Sequence, residues 1–301
     1  MVIVIGGSTA TGKTKLATAV AKEVGGELIS ADSMQIYTGM DIGTAKENAS
    51  QLGVPIHMID VVDPKCAYSV VEYKENALRC IKDIESRGKT PIIVGGTGLY
   101  ITSLLYKMDY GTQIDPEVRI SLENELEMYG KIAMHNKLLE LDPTSAEKIH
   151  YNNVKRMMRA LEVCVGTGGK FSEQNVEKVA ELDCDMYSLI ASDRDILLKN
   201  IAKRVDIMLK SGLESEIKTL LDSGVTFDMQ SMQGIGYKEW NGYFDNKISI
   251  EEVRDAIVKN TRAYAKRQDT WFRLQYPNAT IFDPYCTEFD ENLAKILKKR
   301  G

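Results

Sequence analysis

The sequence predicts an α/β protein, a parallel sheet covered by helices on both faces and interrupted by an all-helical insertion. Three observations carry this. Short apolar runs alternate with helical patterns through the first third of the chain. The runs are continuously apolar rather than alternating, as in strands buried on both faces. A long stretch of helical character then separates these runs from further strand-like segments.

Strands are expected at Val2–Ile5, Glu27–Ser30, Ile56–Val62 and Pro91–Val94. Lys13–Val24 and Tyr68–Arg87 carry apolar residues at helical spacing; in the second, Val71, Ala77, Leu78, Ile81 and Ile84 can share a face. Pro116 opens a helix through Tyr129, and helical segments continue to about Leu182. Residues 115–182 therefore read as an inserted domain, with 1–114 and 183–301 forming the core. Strand character resumes at Met186–Ser192, followed by helices at Ile196–Lys210, Leu213–Ser223 and about Ile250–Leu274. A short strand at Thr280–Phe282 and a last helix close the chain. In parallel sheets, binding loops sit at the carboxyl ends of strands. The loops after the first, second and fourth strands, GGSTATGKT, ADSMQIYTGMDIGTAK and GGTGLY, thus share one edge.

The 301 residues are 44% apolar and 27% charged, with a formal net charge of -5. That balance argues against a protein that coats nucleic acid indiscriminately, and leaves room for a local basic surface. No apolar run approaches the roughly 20 residues of a membrane span. No basic segment precedes the apolar start VIVIGG, so a secretory leader is not expected. Cys66, Cys80, Cys164, Cys184 and Cys286 are scattered and contain no C-x-x-C pair, which points to a reducing cytoplasm rather than a disulfide framework or zinc site. His57, His135 and His150 are isolated, in keeping with packing or surface roles.

Gly7, Ser8, Thr9, Ala10, Thr11, Gly12, Lys13 and Thr14 match G-x-x-x-x-G-K-[ST], between an apolar strand and a helix. Such a loop points successive backbone N–H groups at phosphate oxygens, with the helix N-terminus adding partial positive charge. Lys13 would neutralise the terminal phosphate and Thr14 would place its hydroxyl on Mg²⁺. The usual inference, an NTPase or small-molecule kinase, is weakened by the fourth strand, IIVGGTG, which lacks a metal-binding acid. There is also no N-K-x-D tetrapeptide to read guanine.

Asp32, just beyond the second strand, could be a metal ligand, a general base or a cap on the next turn. Ser33, Gln35, Tyr37, Asp41, Thr44 and Lys46 crowd the same loop, a density that suits ligand contact. In GGTGLY, Gly95 and Gly96 allow close backbone approach and Thr97 offers a hydroxyl.

GGSTATGKT, ISADSMQIYTGMDIGTAK, PIIVGGTGLY, NVKRMMRALEV, MQGIGYKEW and TRAYAKRQDTWFR occur in this order, and together they resemble the tRNA dimethylallyltransferase (tRNA isopentenyltransferase) family over nearly the whole chain. The resemblance implies a P-loop NTPase-like core whose loop holds the diphosphate of dimethylallyl diphosphate, with ATP not consumed. It implies transfer of the allyl group to N6 of the adenine 3′ to the anticodon in a tRNA stem-loop, with Mg²⁺ as cofactor. On this reading Asp32 is the base and Thr97 contacts the diphosphate or orients the reacting centre. Arg204, in a helix with an apolar face of Ile201, Val205 and Met208, faces the diphosphate rather than solvent.

The adenine must leave its stack to reach a pocket, and cations must then hold the RNA backbone. Lys155, Arg156 and Arg159 cluster on one helix; Lys259, Arg262, Lys266 and Arg273 lie near one face of another, interleaved with Tyr264, Trp271 and Phe272. Charge-laced helices are commonly only solvated surface. The resemblance places RNA contacts on Asp32, Ser33, Met34 and Gln35, on Thr97 and Arg119, on Lys155–Arg159 including Met157 and Met158, on Gln233, Gly234, Ile235, Gly236, Tyr237 and Lys238, and on Lys266 and Arg273. Some relatives carry arginines at both ends of the segment that here reads QGIGYK. The insertion fits a clamp over the anticodon stem. A soluble monomer is expected. The alternatives are prenylation of a free adenine nucleotide, a small-molecule kinase, and an RNA-binding protein with a ligand-sensing loop.

Overall fold

The computed structural model describes residues 1–107, 114–173 and 179–298. The chain divides into two compact units, Met1–Tyr106 with Ala180–Gly301, and Lys107–Val179.

The first unit begins with β1 (Val2–Gly7), α1 (Lys13–Val24), β2 (Gly26–Ser30), α2 (Ala49–Leu52), β3 (Ile56–His57), α3 (Val70–Ser86), β4 (Thr90–Gly95) and α4 (Gly98–Leu105). The second unit contributes α5 (Pro116–Leu141), α6 (Pro143–Lys148) and α7 (Val154–Thr167). The chain then returns to the first unit with β5 (Cys184–Leu189), α8 (Arg194–Lys210), α9 (Leu213–Asp222), α10 (Ile250–Gln275), β6 (Thr280–Phe282) and α11 (Phe289–Lys298).

Among the described residues six strands form one parallel sheet, in the order β3-β2-β4-β1-β5-β6. Side chains alternate across a strand, and both faces here are apolar. Val2, Val4, Ile29 and Ile93 point into a core built with α3, α4, α8, α9 and α10. Ile3, Ile5, Leu28 and Ile92 point into a second core with α1 and α11. This double burial is why the strands read as continuous apolar runs. In the register, Gly6 pairs with Gly95 and Ser30 with Val94, so the loops after β1, β2 and β4 leave the sheet at one level.

Three local expectations are corrected. The third strand is only Ile56–His57, because Met58 and Asp60 adopt positive φ (62° and 53°) and turn the chain; Val62 then makes an isolated bridge with Tyr37. Strand β5 starts earlier than Met186, at Cys184, because its partner β1 pairs with it from Val2 onward. On α3 the buried face is Tyr73, Ala77, Ile81 and Ile84, and Val71 is exposed.

In the helical unit, Pro116 does open a helix, capped by the Asp115 side chain on the Glu117 N–H. The helix passes Tyr129 and runs to Leu141, with a break at Gly130 (φ 77°, ψ 169°). Its core is made by Leu122, Met134, Leu138, Met157, Leu161 and neighbours. Among the described residues no helix is long and apolar enough to cross a membrane.

Candidate active site

Strand β1 runs out at Gly7, whose φ is 137° and where a Cβ would lie 2.2 Å from the Leu189 carbonyl oxygen. Only glycine takes that backbone without strain. The chain turns through Ala10 (φ 62°) and Gly12 (φ 81°) directly into α1. The Ser8 carbonyl accepts the Thr11 hydroxyl at 2.7 Å and the Lys13 ammonium at 2.5 Å. Ser8 and Thr11 are buried inside the loop, so they shape it while Thr9, Ala10, Gly12, Lys13 and Thr14 line a polar cavity of about 460 Å³. Burial, with the like charge of Arg204 adding to it, lowers the Lys13 pKa to about 8; Asp32 and Asp269 pull the other way.

Asp32 follows β2. Its Oδ1 accepts the Met34 N–H at 2.9 Å, so the carboxylate does cap its own turn, and it also lines the polar cavity. The Gln35 side chain accepts the Ser30 hydroxyl at 2.9 Å and donates to the Thr44 carbonyl at 3.3 Å, on the phosphate side of the site. The Arg204 Nη2 donates to that same Thr44 carbonyl at 3.3 Å. Burial lowers the Arg204 pKa, with the Asp32 carboxylate opposing the shift; a guanidinium starts so high that it remains charged.

The third loop joins the second directly. The Thr97 hydroxyl accepts the Ser33 N–H at 3.0 Å, so Thr97 stands at the N-terminal boundary of α4 with its side chain turned to the second loop rather than capping the helix. At Gly95 a Cβ would stand 2.2 Å from the Ala31 carbonyl oxygen, so glycine there is what lets the ends of β2 and β4 close up.

A second cavity, about 360 Å³, is bounded by Ser33, Met34, Ile201, Val205 and the Gln233–Gly236 stretch. Thr9, Asp32, Arg204 and Tyr264 line both cavities. The polar space at the phosphate loop therefore adjoins the more apolar one, and the Asp32 carboxylate stands where they meet.

Gln233 is exposed, with its Nε2 donating to the Phe227 carbonyl at 2.6 Å, and Lys238 also lines the second cavity. Tyr237 corrects the expectation of RNA contact: it is 0% exposed and its hydroxyl donates to Glu216 at 2.6 Å. Met157 and Met158 are likewise turned inward, 0% and 8% exposed, because both fall on the apolar stripe of α7. Lys155 and Arg156 are exposed on that helix, and Arg159 pairs with Glu162 at 3.1 Å. Arg119 is exposed and pairs with Glu123 at 2.9 Å. Lys266 and Arg273 are exposed on α10.

The sequence reading gives α10 an RNA-facing role, with Tyr264, Trp271 and Phe272 interleaved among its cations; the structure instead buries Phe272 in the core. The inner face of α10 brings Tyr264 and Gln268 to the site. The signal available was their spacing of four, which puts two polar side chains on one turn-to-turn face.

A model described as IPP transferase matches residues 35–275. The chain belongs to that family. Within it, the tRNA dimethylallyltransferase of Bacillus mycoides (strain KBAB4) is 47% identical over 275 residues, covering 90% of this chain and 86% of the relative. The crystal structure of the full-length tRNA isopentenylpyrophosphate transferase from Bacillus halodurans is similar with a TM-score of 0.73 at 42% identity, over 98% of this chain and 93% of that one. A eukaryotic dimethylallyltransferase acting on tRNA is similar with a TM-score of 0.77 at 30% identity, over 94% of this chain and 73% of that one. The P-loop-like α/β core is thus the IPP transferase fold, and the resemblance carried by the sequence motifs holds.

Proposed function

We propose that the chain transfers the dimethylallyl group of dimethylallyl diphosphate to the exocyclic N6 of the adenine 3′ to the anticodon in tRNA. The observation that carries this reading is the junction itself: one carboxylate, Asp32, stands between a phosphate loop and a half-apolar cavity. Such a site suits two substrates entering from opposite ends.

The diphosphate lies along the backbone donors from Ala10 to Thr14, at the positive end of α1. Lys13 and Arg204 take up the negative charge that grows as the allylic C–O bond breaks. The adenine enters the second cavity against Met34 and the Gln233–Gly236 stretch. Its N6 attacks the allylic carbon, a C–N bond forms, diphosphate departs, and the N6 proton passes to Asp32. A placed base of this kind contributes roughly 10²–10⁴-fold. Thr97 holds the Asp32 loop through the Ser33 N–H and so orients the carboxylate.

The oxygen donors around the phosphate loop fit Mg²⁺, a hard cation that keeps much of its water and binds substrate phosphates. Among the described residues no cluster of three His, Cys, Asp or Glu side chains forms a protein cage for a metal. Thr14 would hold the ion together with the diphosphate's own oxygens, and its charge would assist the leaving group.

The exposed cations Lys155, Arg156, Lys266 and Arg273 supply contacts to the RNA backbone. Arg119 and Arg159 join them by exchanging carboxylate partners for phosphate. The reading includes a monomer working in the cytoplasm, where tRNA and the allylic diphosphate meet. The test is release of inorganic diphosphate: it should require both dimethylallyl diphosphate and an anticodon stem-loop bearing the adenine. Release with ATP in place of the allylic substrate would contradict the proposal.

A further inference from the structure

Two loops of the site are bonded to one side chain of α10, and a third is joined to them through Thr97. The Gln268 Oε1 accepts the Thr9 N–H at 2.8 Å, and its Nε2 donates to the Gly96 carbonyl at 2.8 Å. One amide thereby ties the phosphate loop to the loop after β4. Gln268 is 5% exposed, so both bonds are sheltered from water. One turn earlier, Tyr264 lines the polar cavity beside Gln268. Thr97, which follows Gly96 in the chain, accepts the Ser33 N–H at 3.0 Å, which brings in the loop that carries Asp32. Tyr264 also walls both cavities where they meet.

The packing around this pair leaves little slack. A Cβ on Gly96 would lie 2.2 Å from Gln268 Nε2, so the backbone passes against the amide itself. The Thr9 N–H, which sits in the phosphate loop, is committed to the glutamine. Phosphate recognition is thus left to the later donors of the loop, and Gln268 fixes where those donors stand.

We propose that Tyr264 and Gln268 form a clamp on the inner face of α10 that sets the spacing between the phosphate loop and the Asp32 loop, and that both are positioning residues for prenyl transfer. The inference rests on the reaction proposed above. It assigns α10 two duties, cations outward for RNA and the clamp inward for geometry. A misplacement of about 1 Å between reacting groups costs on the order of 10²-fold in rate, which is the effect a loosened clamp should produce.

The experiment compares wild type, Gln268→Met and Tyr264→Phe in single-turnover transfer from dimethylallyl diphosphate to an anticodon stem-loop, both saturating. Stem-loop affinity and thermal midpoint are measured alongside. Gln268→Met should lower the transfer rate about 10²-fold and Tyr264→Phe about tenfold. Stem-loop affinity should stay within about twofold, since the outward cations are untouched. A rate within about twofold of wild type in folded Gln268→Met overturns the clamp, as does a rate loss matched by an equal loss of stem-loop affinity. Should Gln268→Met fail to fold, an unchanged rate in Tyr264→Phe overturns it alone. A wild type without any transfer would instead defeat the reaction, a result separable from failure of the clamp.

Discussion

The Tyr237 hydroxyl donates to Glu216 at 2.6 Å, and the same Glu216 carboxylate accepts the backbone N–H groups of Asp41, Ile42 and Gly43 at 2.9, 2.6 and 3.2 Å. One side chain of α9 thus fastens the end of the Asp32 loop to the segment that bounds the second cavity. Burial and the neighbouring carboxylate hold the Tyr237 phenol proton well above its ordinary range, so it stays a donor. Glu216→Ala strands these donors and should cost on the order of 2–3 kcal/mol. Its urea midpoint should fall with an unchanged slope. A midpoint equal to that of wild type would show that water replaces the carboxylate without loss.

Asp32 carries two tasks, capping the Met34 N–H and serving as base. Asn can still cap but cannot take the N6 proton. Asp32→Asn should therefore lower transfer by roughly 10²–10⁴-fold while the stem-loop still binds. Equal loss of binding and transfer would make the residue structural.

Lys13 gives a pH signature. Its pKa in the fold is lowered to about 8 from an ordinary 10.5, so between these values the unfolded chain holds a proton that the folded chain has lost. Stability should therefore rise with pH across that window. Binding should run the other way, because a neutral amine no longer attracts phosphate. The affinity advantage of wild type over Lys13→Met for inorganic diphosphate, a ratio that cancels the ligand's own titration, should shrink as pH climbs through about 8. A flat ratio would contradict the role given to Lys13.

The chain leaves and re-enters the first unit at neighbouring points. Tyr106 and Ala180 form an antiparallel bridge, and the Glu181 N–H donates to the Leu105 carbonyl at 2.9 Å. A short turn can therefore replace residues 107–179. The resulting core should fold and bind diphosphate, as judged by circular dichroism and calorimetry, yet fail to modify tRNA. Retained modification would remove the helical unit from RNA recognition.

What could be read from the sequence follows from local physics. Strands β1, β2 and β4 are legible because two-sided burial demands continuous apolar residues, and the phosphate loop because its glycines and lysine have fixed spacing. Strand β3 reads as longer than it is because the turn at Met58 and Asp60 lacks the glycine or proline that normally marks one. Met157 and Met158 stand between cations in the sequence, and helical periodicity sends them inward all the same. The clamp was hidden for another reason. Gln268 bonds Gly96 across 172 residues and Thr9 across 259, and single-chain periodicity carries no information about such partners.

The most direct measurement is mass analysis of the nucleosides of bulk tRNA after incubation with the protein, dimethylallyl diphosphate and Mg²⁺. One adenosine per substrate tRNA should gain a single C5H8 unit on N6, on the 3′ side of the anticodon. Unmodified tRNA, or the same gain on free adenine nucleotides instead, would contradict the account.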